Sequence, residues 1–170
     1  MIRRIRLGFV VLAAVVLQTT LFTHLRIDGV APDVGLVCVL AVAYEDGADS
    51  GAIFGFIMGL CIDLFLTTPL GLSALSFAIT GYVVGVFQSG MVRTTPWLAP
   101  LLGGLGGLFG GLVFITAGAV VGQSGFLTAE SLKVVLIASL YDALIAPVVF
   151  PIVRRAARRD DTNATWRVRR

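Results

Sequence analysis

The chain has 170 residues, of which 57% are hydrophobic and only 14% are charged, and its mean hydropathy is +0.95. Soluble domains carry roughly 25% charged residues, so the composition excludes an ordinary soluble protein and indicates a single integral membrane domain. The net charge of +3 comes from arginines near the two ends, which favours a membrane-topology signal over nucleic-acid binding.

Six apolar segments follow one another along the chain, and we predict a membrane-spanning helix in each. Helices are expected because open strands would leave backbone polar groups unpaired in lipid. The predicted spans are residues 7–25, 32–44, 51–66, 70–87, 96–121 and 131–153. The first span follows several arginines and precedes no convincing signal-peptidase site, so we interpret it as an uncleaved helix.

The distribution of basic residues predicts the orientation of these spans. With six spans both chain ends share one side, which would also hold Arg93 and the arginine-rich residues 154–170. Of the basic residues, the opposite side would hold only Arg26 and Lys133. Because loops rich in arginine and lysine stay in the cytoplasm, we predict cytoplasmic termini and a basic cytoplasmic tail over residues 154–170.

The third span carries small residues at a spacing of four. Gly51, Gly55, Gly59 and Asp63 would share one face of a helix, and such a face lets two helix backbones approach closely in a bilayer. An acid inside the membrane is costly, so it usually faces protein rather than lipid. The stripe therefore predicts a helix-packing or partner-binding face.

Asp63 would lie at the outer end of its helix, where it opposes the helix dipole. We therefore interpret it as the centre of a polar cluster and not as a capping residue. The residues expected nearby, in the same outer half or as cations, are Gln18, Thr19, Thr20, Arg26 and Lys133. Asp33 could join this cluster, but Pro32 and Asp33 at the start of the second span also form a good helix N-terminus.

A second stripe lies in the fifth span, where Gly103, Gly107 and Gly111 repeat the four-residue spacing. Asp142 lies near the middle of the sixth span, and we interpret it as an acid hydrogen-bonded by a neighbouring helix. A proton or ion relay with Asp63 is the alternative, although the predicted topology separates the two acids by about half a leaflet. The sequence shows no metal cluster, nucleophile–base pair or phosphate loop, so we expect neither an enzyme nor a cofactor.

Three motifs in the first half of the chain resemble the rod shape-determining protein MreD family. They are Pro32-Asp33, the run G-F-I-M-G-L-C-I-D from Gly55 to Asp63, and Pro69-Leu70-Gly71. The positions that carry this resemblance are Pro32, Asp33, Gly55, Phe56, Gly59, Asp63 and Gly71. The resemblance implies a multi-pass bacterial inner-membrane protein of the cell-elongation complex, without enzymatic activity. It also implies a bundle similar to the substrate-binding components of energy-coupling-factor transporters.

The partners that this resemblance implies are MreC, the actin-like MreB, the glycosyltransferase RodA and its partner transpeptidase. We therefore expect a membrane scaffold whose small-residue faces bind a single-span protein such as MreC and position wall-synthesis enzymes. The alternative is a small-molecule-binding component of a transporter, in which the outer polar cluster would form the pocket. Self-association is left open by the sequence.

Overall fold

The structure is a computed structural model that describes residues 2–20, 30–65, 69–88, 97–122 and 128–157. Those residues form an all-α fold with six helices, as predicted. The helices are α1 (Ile2–Thr20), α2 (Val34–Asp46), α3 (Ala48–Asp63), α4 (Leu72–Phe87), α5 (Leu98–Val120) and α6 (Ala129–Ala157).

The ends of three helices differ from the predicted spans. Helix α1 begins at Ile2 and so includes the arginines that were expected to precede it, while residues 21–25 lie outside the described residues. Helix α3 begins directly after Gly47, which has a φ of +89° and alone connects it to α2. Helix α6 continues to Ala157, so the first arginines of the predicted tail, Arg154 and Arg155, occupy its last turn.

Consecutive helices run in opposite directions. In the α3–α4 pair, Gly51 lies against Gly81 and Gly59 lies against Ala74. The α2–α3 pair shows the same arrangement, because Ala43 contacts Gly51 near the junction of the two helices. This alternation gathers the ends of α1, α3 and α5 and the starts of α2, α4 and α6 at one end of the bundle, hereafter the far end, opposite both termini.

Helices α2 and α6 run parallel and in register. The Asp33 N–H donates to Asp142 Oδ1 at 2.7 Å, and Arg154 Nε lies 3.5 Å from Glu45 Oε1. The same number of residues separates Asp33 from Glu45 and Asp142 from Arg154, a rise of about 18 Å. The two helices are thus joined at both ends of α2.

Helix α2 is the core of the bundle. All its residues from Val34 to Tyr44 are buried, and it contacts each of the other five helices. Its thirteen residues cover only about 20 Å, less than the ~30 Å hydrocarbon core of a bilayer. The longer neighbours therefore enclose a helix that could not span the membrane alone.

The surface of the bundle is apolar and several of its polar side chains are inside. Phe9, Leu140 and Leu144 are more than 60% exposed, whereas the side chains of Asp63 and Asp142 are 1% exposed. This is the reverse of a soluble protein, in which exposed apolar patches of this extent are rare. Helices α5 and α6 are also long and apolar enough to cross a membrane.

Candidate functional site

Asp63 is the N-terminal cap of the helix that follows its own. Its carboxylate accepts hydrogen bonds from the backbone N–H groups of Gly71 at 2.8 Å, Ser73 at 3.1 Å and Ala74 at 3.3 Å. These are among the first amides of α4, which have no partner inside the helix. The negative charge also suits the positive end of the α4 dipole.

Gly71 makes this arrangement possible. It has a φ of +97° at the N-cap of α4, a left-handed conformation that costs other residues about 1–2 kcal/mol. The turn is closed by the Leu72 N–H, which donates to the Pro69 carbonyl at 3.3 Å. The Pro69-Leu70-Gly71 motif is therefore the turn that returns the chain to Asp63.

This geometry corrects one prediction from the sequence. The prediction that Asp63 is not a capping residue follows from the dipole of its own helix, α3, alone. The short connection to α4 brings a second, oppositely directed N-terminus to the carboxylate. The structure does not place Asp63 at the centre of a polar cluster. Gln18 and Asp33 form their hydrogen bonds elsewhere, as described below, and Lys133 is exposed. Arg26 lies outside the described residues.

Gly51, Gly55 and Gly59 form a seam that presses α3 onto the backbone of α4. A Cβ at Gly55 would lie 2.4 Å from the Phe77 carbonyl oxygen, and one at Gly59 would lie 2.5 Å from the backbone of Ala74. Real Cβ contacts are essentially never this short. These glycines therefore pack two helices of the same chain, while Phe56 points away from the seam and is 51% exposed.

The second glycine stripe packs α5 onto α6. A Cβ at Gly103 would lie 2.6 Å from the Asp142 carbonyl oxygen, one at Gly107 would lie 2.7 Å from Asp142 Oδ2, and one at Gly111 would lie 2.6 Å from Val135. Since both stripes are covered by helices of the same chain, the prediction that they form the partner surface is corrected. The four-residue spacing of these glycines is explained by the packing of helices within the chain.

Three side chains from three helices meet at the N-terminus of α2. Asp33 Oδ1 accepts from the Leu36 N–H at 3.0 Å, the cap expected from the sequence. Gln18 Oε1 of α1 accepts from the Val34 N–H at 3.0 Å, and Asp142 Oδ1 of α6 accepts from the Asp33 N–H at 2.7 Å. Asp142 is thus bonded to a neighbouring helix, as interpreted from the sequence, and Pro32 directly precedes this junction and is buried.

A cavity of about 260 Å³ lies beside this junction, and we call it the far-end cavity. Its polar wall includes Gln18, Asp33, Ser73, Ser76 and Asp142. Asp63 is not among the described residues that line it. The two intramembrane acids therefore occupy separate environments, which removes the support for a relay through both.

A second opening, which we call the apolar groove, separates α1 from α3. Its volume is about 490 Å³, and α2 forms its floor. It is lined by Leu7, Gly8, Val11, Val42, Ser50, Ile53, Phe54 and Ile57. A Cβ added to Gly8 would meet nothing within 4 Å, in contrast to the glycines of the two stripes.

The described residues contain no group of three histidine, cysteine, aspartate or glutamate side chains that could hold a metal ion. Cys38 is buried and Cys61 is half-buried, and both are free thiols. Neither cysteine lines the far-end cavity or the apolar groove. The chemistry available to these sites is therefore packing, hydrogen bonding and charge.

Comparison with known proteins identifies the family. Neither the curated proteins nor the solved structures give a match, so the likeness to energy-coupling-factor transporter components stays a prediction. The sequence profile of the family described as rod shape-determining protein MreD matches residues 2–159, a range that includes all six helices. The chain therefore belongs to the MreD family of rod shape-determining membrane proteins, which are not enzymes.

Proposed function

We propose that this protein is a scaffold of the bacterial cell-elongation complex that binds an MreC-like single-span partner in the inner membrane. By holding that partner, it would help to position the peptidoglycan-synthesis enzymes, RodA and its partner transpeptidase, and link them to MreB. Membership of the MreD family implies a role in rod-shape determination. The observation that carries the more specific proposal is the apolar groove between α1 and α3.

The apolar groove has the composition of a helix-binding site in a membrane. Its described lining residues carry no charge, and they include one small residue on each wall, Gly8 on α1 and Ser50 on α3. Small residues let a second helix approach closely, which is the main source of helix affinity in lipid. Since the glycines of the two stripes are covered within the chain, Gly8 is a small residue that remains available to a partner.

The position of the groove also favours a partner helix. Its floor includes Val42 of α2, whose side chain is 1% exposed. Helix α2 is already buried from Val34 to Tyr44, so a partner helix in the groove would pack mainly against α1 and α3. Leu7 and Val42 lie toward the end of the bundle that carries the termini, which we place on the cytoplasmic side.

The proposed orientation rests on basic residues. Both termini would face the cytoplasm, where the tail beyond Ala157 and the α6 residues Arg154 and Arg155 would lie. This agrees with the rule that short cytoplasmic segments collect arginine and lysine. A tag fused to either terminus should then be protected from external protease in spheroplasts, and cleavage of both tags would contradict the orientation.

The groove is tested by co-purification with an MreC-like partner expressed in the same cells. Gly8→Trp places a large side chain at the wall of the groove, where a Cβ would meet no described atom within 4 Å, so we expect at least a tenfold loss of recovered partner. Leu105→Trp is the matched control, because Leu105 is 59% exposed on α5, which contacts neither α1 nor α3 among the described residues. Both variants should keep the wild-type unfolding midpoint.

Two outcomes would contradict the groove as the partner site. Gly8→Trp could recover as much partner as the wild type, or Leu105→Trp could lose as much as Gly8→Trp. In a rod-shaped host that elongates laterally, Gly8→Trp as the sole copy should also give rounded cells. Rods of normal width in that strain would count against the scaffold role itself.

The alternative function, a small-molecule-binding component of a transporter, is favoured by one observation, the far-end cavity. That function predicts recovery with an ATPase module in place of a single-span partner. Recovery of both partners by one preparation would point to a shared complex. Gly8→Trp should then lose the single-span partner and keep the ATPase module, because the cavity and the groove share no described lining residue.

A further inference from the structure

The far-end cavity is lined by polar groups that have no hydrogen-bond partner among the described residues. Asp142 uses Oδ1 to accept from the Asp33 N–H, and within the described residues Oδ2 has no hydrogen-bond partner. The Ser73 hydroxyl, whose residue is 3% exposed, also lacks one there. Burying a carboxylate without full compensation is costly, so this wall is suited to a hydrogen-bond donor from outside the chain.

The shape of the wall keeps Asp142 Oδ2 accessible. Gly107 lies beside this oxygen, and a Cβ there would be only 2.7 Å from it. Gly107 and Gly111 also line the cavity, and neither adds a side chain beside the carboxylate. The glycines that pack α5 onto α6 thereby also leave space in front of the acid.

The charge of the cavity favours a cation. Asp33 and Asp142 both line it, and no lysine, arginine or histidine is among its described lining residues. The N-terminus of α2 contributes the equivalent of only about half a positive charge, which is less than the charge of either acid when that acid is ionised. Lys133 lies on the first turns of α6 but is exposed and does not line the cavity.

The size and the remaining walls favour a small organic molecule over a metal ion. The volume of about 260 Å³ is just below the ~300–1,000 Å³ typical of ligand pockets. The side chains of Leu36, Phe77, Phe114 and Val135 supply apolar surface. A metal ion would need more oxygen ligands than two carboxylates and one hydroxyl readily offer, and it would leave this apolar surface uncovered.

We propose that the far-end cavity binds a small organic ammonium compound, with the ammonium group donating to Asp142 Oδ2 and the apolar body against α4, α5 and α6. The Ser73 hydroxyl would accept a further hydrogen bond from the same ammonium group. The site is separate from the apolar groove, so a result against one of the two proposals leaves the other unaffected.

Benzylamine is a suitable probe, with benzyl alcohol and benzoate as neutral and anionic analogues of similar size. The full chain in lipid nanodiscs is titrated with each compound, and binding is measured by calorimetry and by the shift of the thermal unfolding midpoint. Benzylamine should bind and raise the midpoint, whereas the alcohol and benzoate should bind at least tenfold more weakly. Equal binding of benzylamine and benzyl alcohol, or no binding of benzylamine, would overturn the proposal.

Three variants locate the site. Asp142→Asn should weaken benzylamine at least tenfold while keeping the acceptor for the Asp33 N–H, and Ser73→Ala should weaken it a few-fold while keeping the amide that Asp63 caps. Ala138→Leu fills the cavity without altering a polar group and should abolish binding. Asp49→Asn, an exposed acid at the other end of the bundle, is the control and should bind as the wild type.

Each variant tests the site separately, so the others remain informative if one of them misfolds. Should Asp142→Asn fail to fold, wild-type binding by folded Ala138→Leu alone would overturn the proposal. Recovery of an MreC-like partner by Asp142→Asn at the wild-type level would show that the scaffold role is unaffected, whatever the titration gives.

Discussion

Asp63 and Asp142 are the same residue type at the same 1% exposure, yet their surroundings differ. Asp63 accepts three backbone N–H groups at the start of α4 and is not among the described residues that line the far-end cavity. Asp142 accepts one, at the start of α2, and lines a cavity with its second oxygen. Burial alone therefore does not distinguish a structural acid from a binding acid; the number of donors that the chain supplies does.

The packing around the two acids differs in the same sense. Asp63 lies at the end of the glycine seam, where the backbones of α3 and α4 are in direct contact. Asp142 lies beside the start of α2, where the bundle leaves a cavity between its helices. The α3–α4 contact around Asp63 should therefore contribute mainly to stability, and the cavity beside Asp142 mainly to binding. Substitutions at the two acids should change these two properties separately.

The largest loss of stability is expected for Asp63→Ala. It leaves three backbone N–H groups of α4 without their acceptor, and each buried unsatisfied group costs about 1–3 kcal/mol. We expect the free energy of unfolding to fall by at least about 3 kcal/mol, measured by titration with a denaturing detergent. Asp49→Ala, at an exposed position, is the control; a similar loss in both variants would contradict the capping role.

Gly55→Ala should have the next largest effect. Its Cβ would meet the Phe77 carbonyl at 2.4 Å, so α3 and α4 must separate, and overpacking of this kind costs about 1–3 kcal/mol. Gly8→Ala is the matched control, because its Cβ would meet no atom within 4 Å. The same detergent titration should show a lower midpoint for Gly55→Ala only, and equal midpoints would argue against a tight α3–α4 seam.

Gly71→Ala should cost about 1–2 kcal/mol, the penalty of a left-handed backbone at a residue with a Cβ. Apart from its chain neighbours, no described residue has an atom within 4 Å of that Cβ, so we expect the effect to come from the backbone. Gly71→Asn tolerates this conformation better and should recover part of the loss. A larger loss for asparagine than for alanine in thermal unfolding would contradict this account of the turn.

Asp142→Asn should change stability by less than about 1 kcal/mol, because the asparagine oxygen still accepts from the Asp33 N–H and one neutral hydrogen bond contributes about that much. Asp142→Asn and Asp63→Ala both remove a buried acid, so the difference between their losses of stability tests whether the two acids have different roles. Hydrogen exchange at the Asp33 amide should remain slow in the variant. Collapse of the fold in Asp142→Asn would assign this acid a structural role as well.

The smallest effect is expected for the pair at the other end of α2. Arg154 Nε lies 3.5 Å from Glu45 Oε1, but the arginine side chain is 58% exposed. Exposed ion pairs contribute about 0–1 kcal/mol and are screened by salt. Glu45→Gln should therefore lower the unfolding midpoint only slightly at low salt and not at all at high salt. A salt-independent loss would mean that Glu45 acts through packing.

The sequence was sufficient to predict six helices, the family and the packing use of the glycines, because these follow from hydropathy and spacing. It could not assign Asp63 correctly, since the assignment depends on how close the returning helix comes. It also could not show that α2 begins beside Asp142, because Asp33 and Asp142 are 109 positions apart. Nor did it single out Ser73 and Gly8, whose importance depends on a cavity and a groove that only the packed bundle creates.

The short central helix has a consequence for how the protein is made. Helix α2 is too short to enter the bilayer stably by itself, and Gly47 joins it to α3 without a loop. We therefore expect the two helices to leave the insertion machinery as one hairpin. The Asp33 amide would then lack its acceptor until Asp142, 109 residues later, is translated. A chain cut before α6 would expose that amide within the membrane, where quality-control proteases could recognise an unfinished protein.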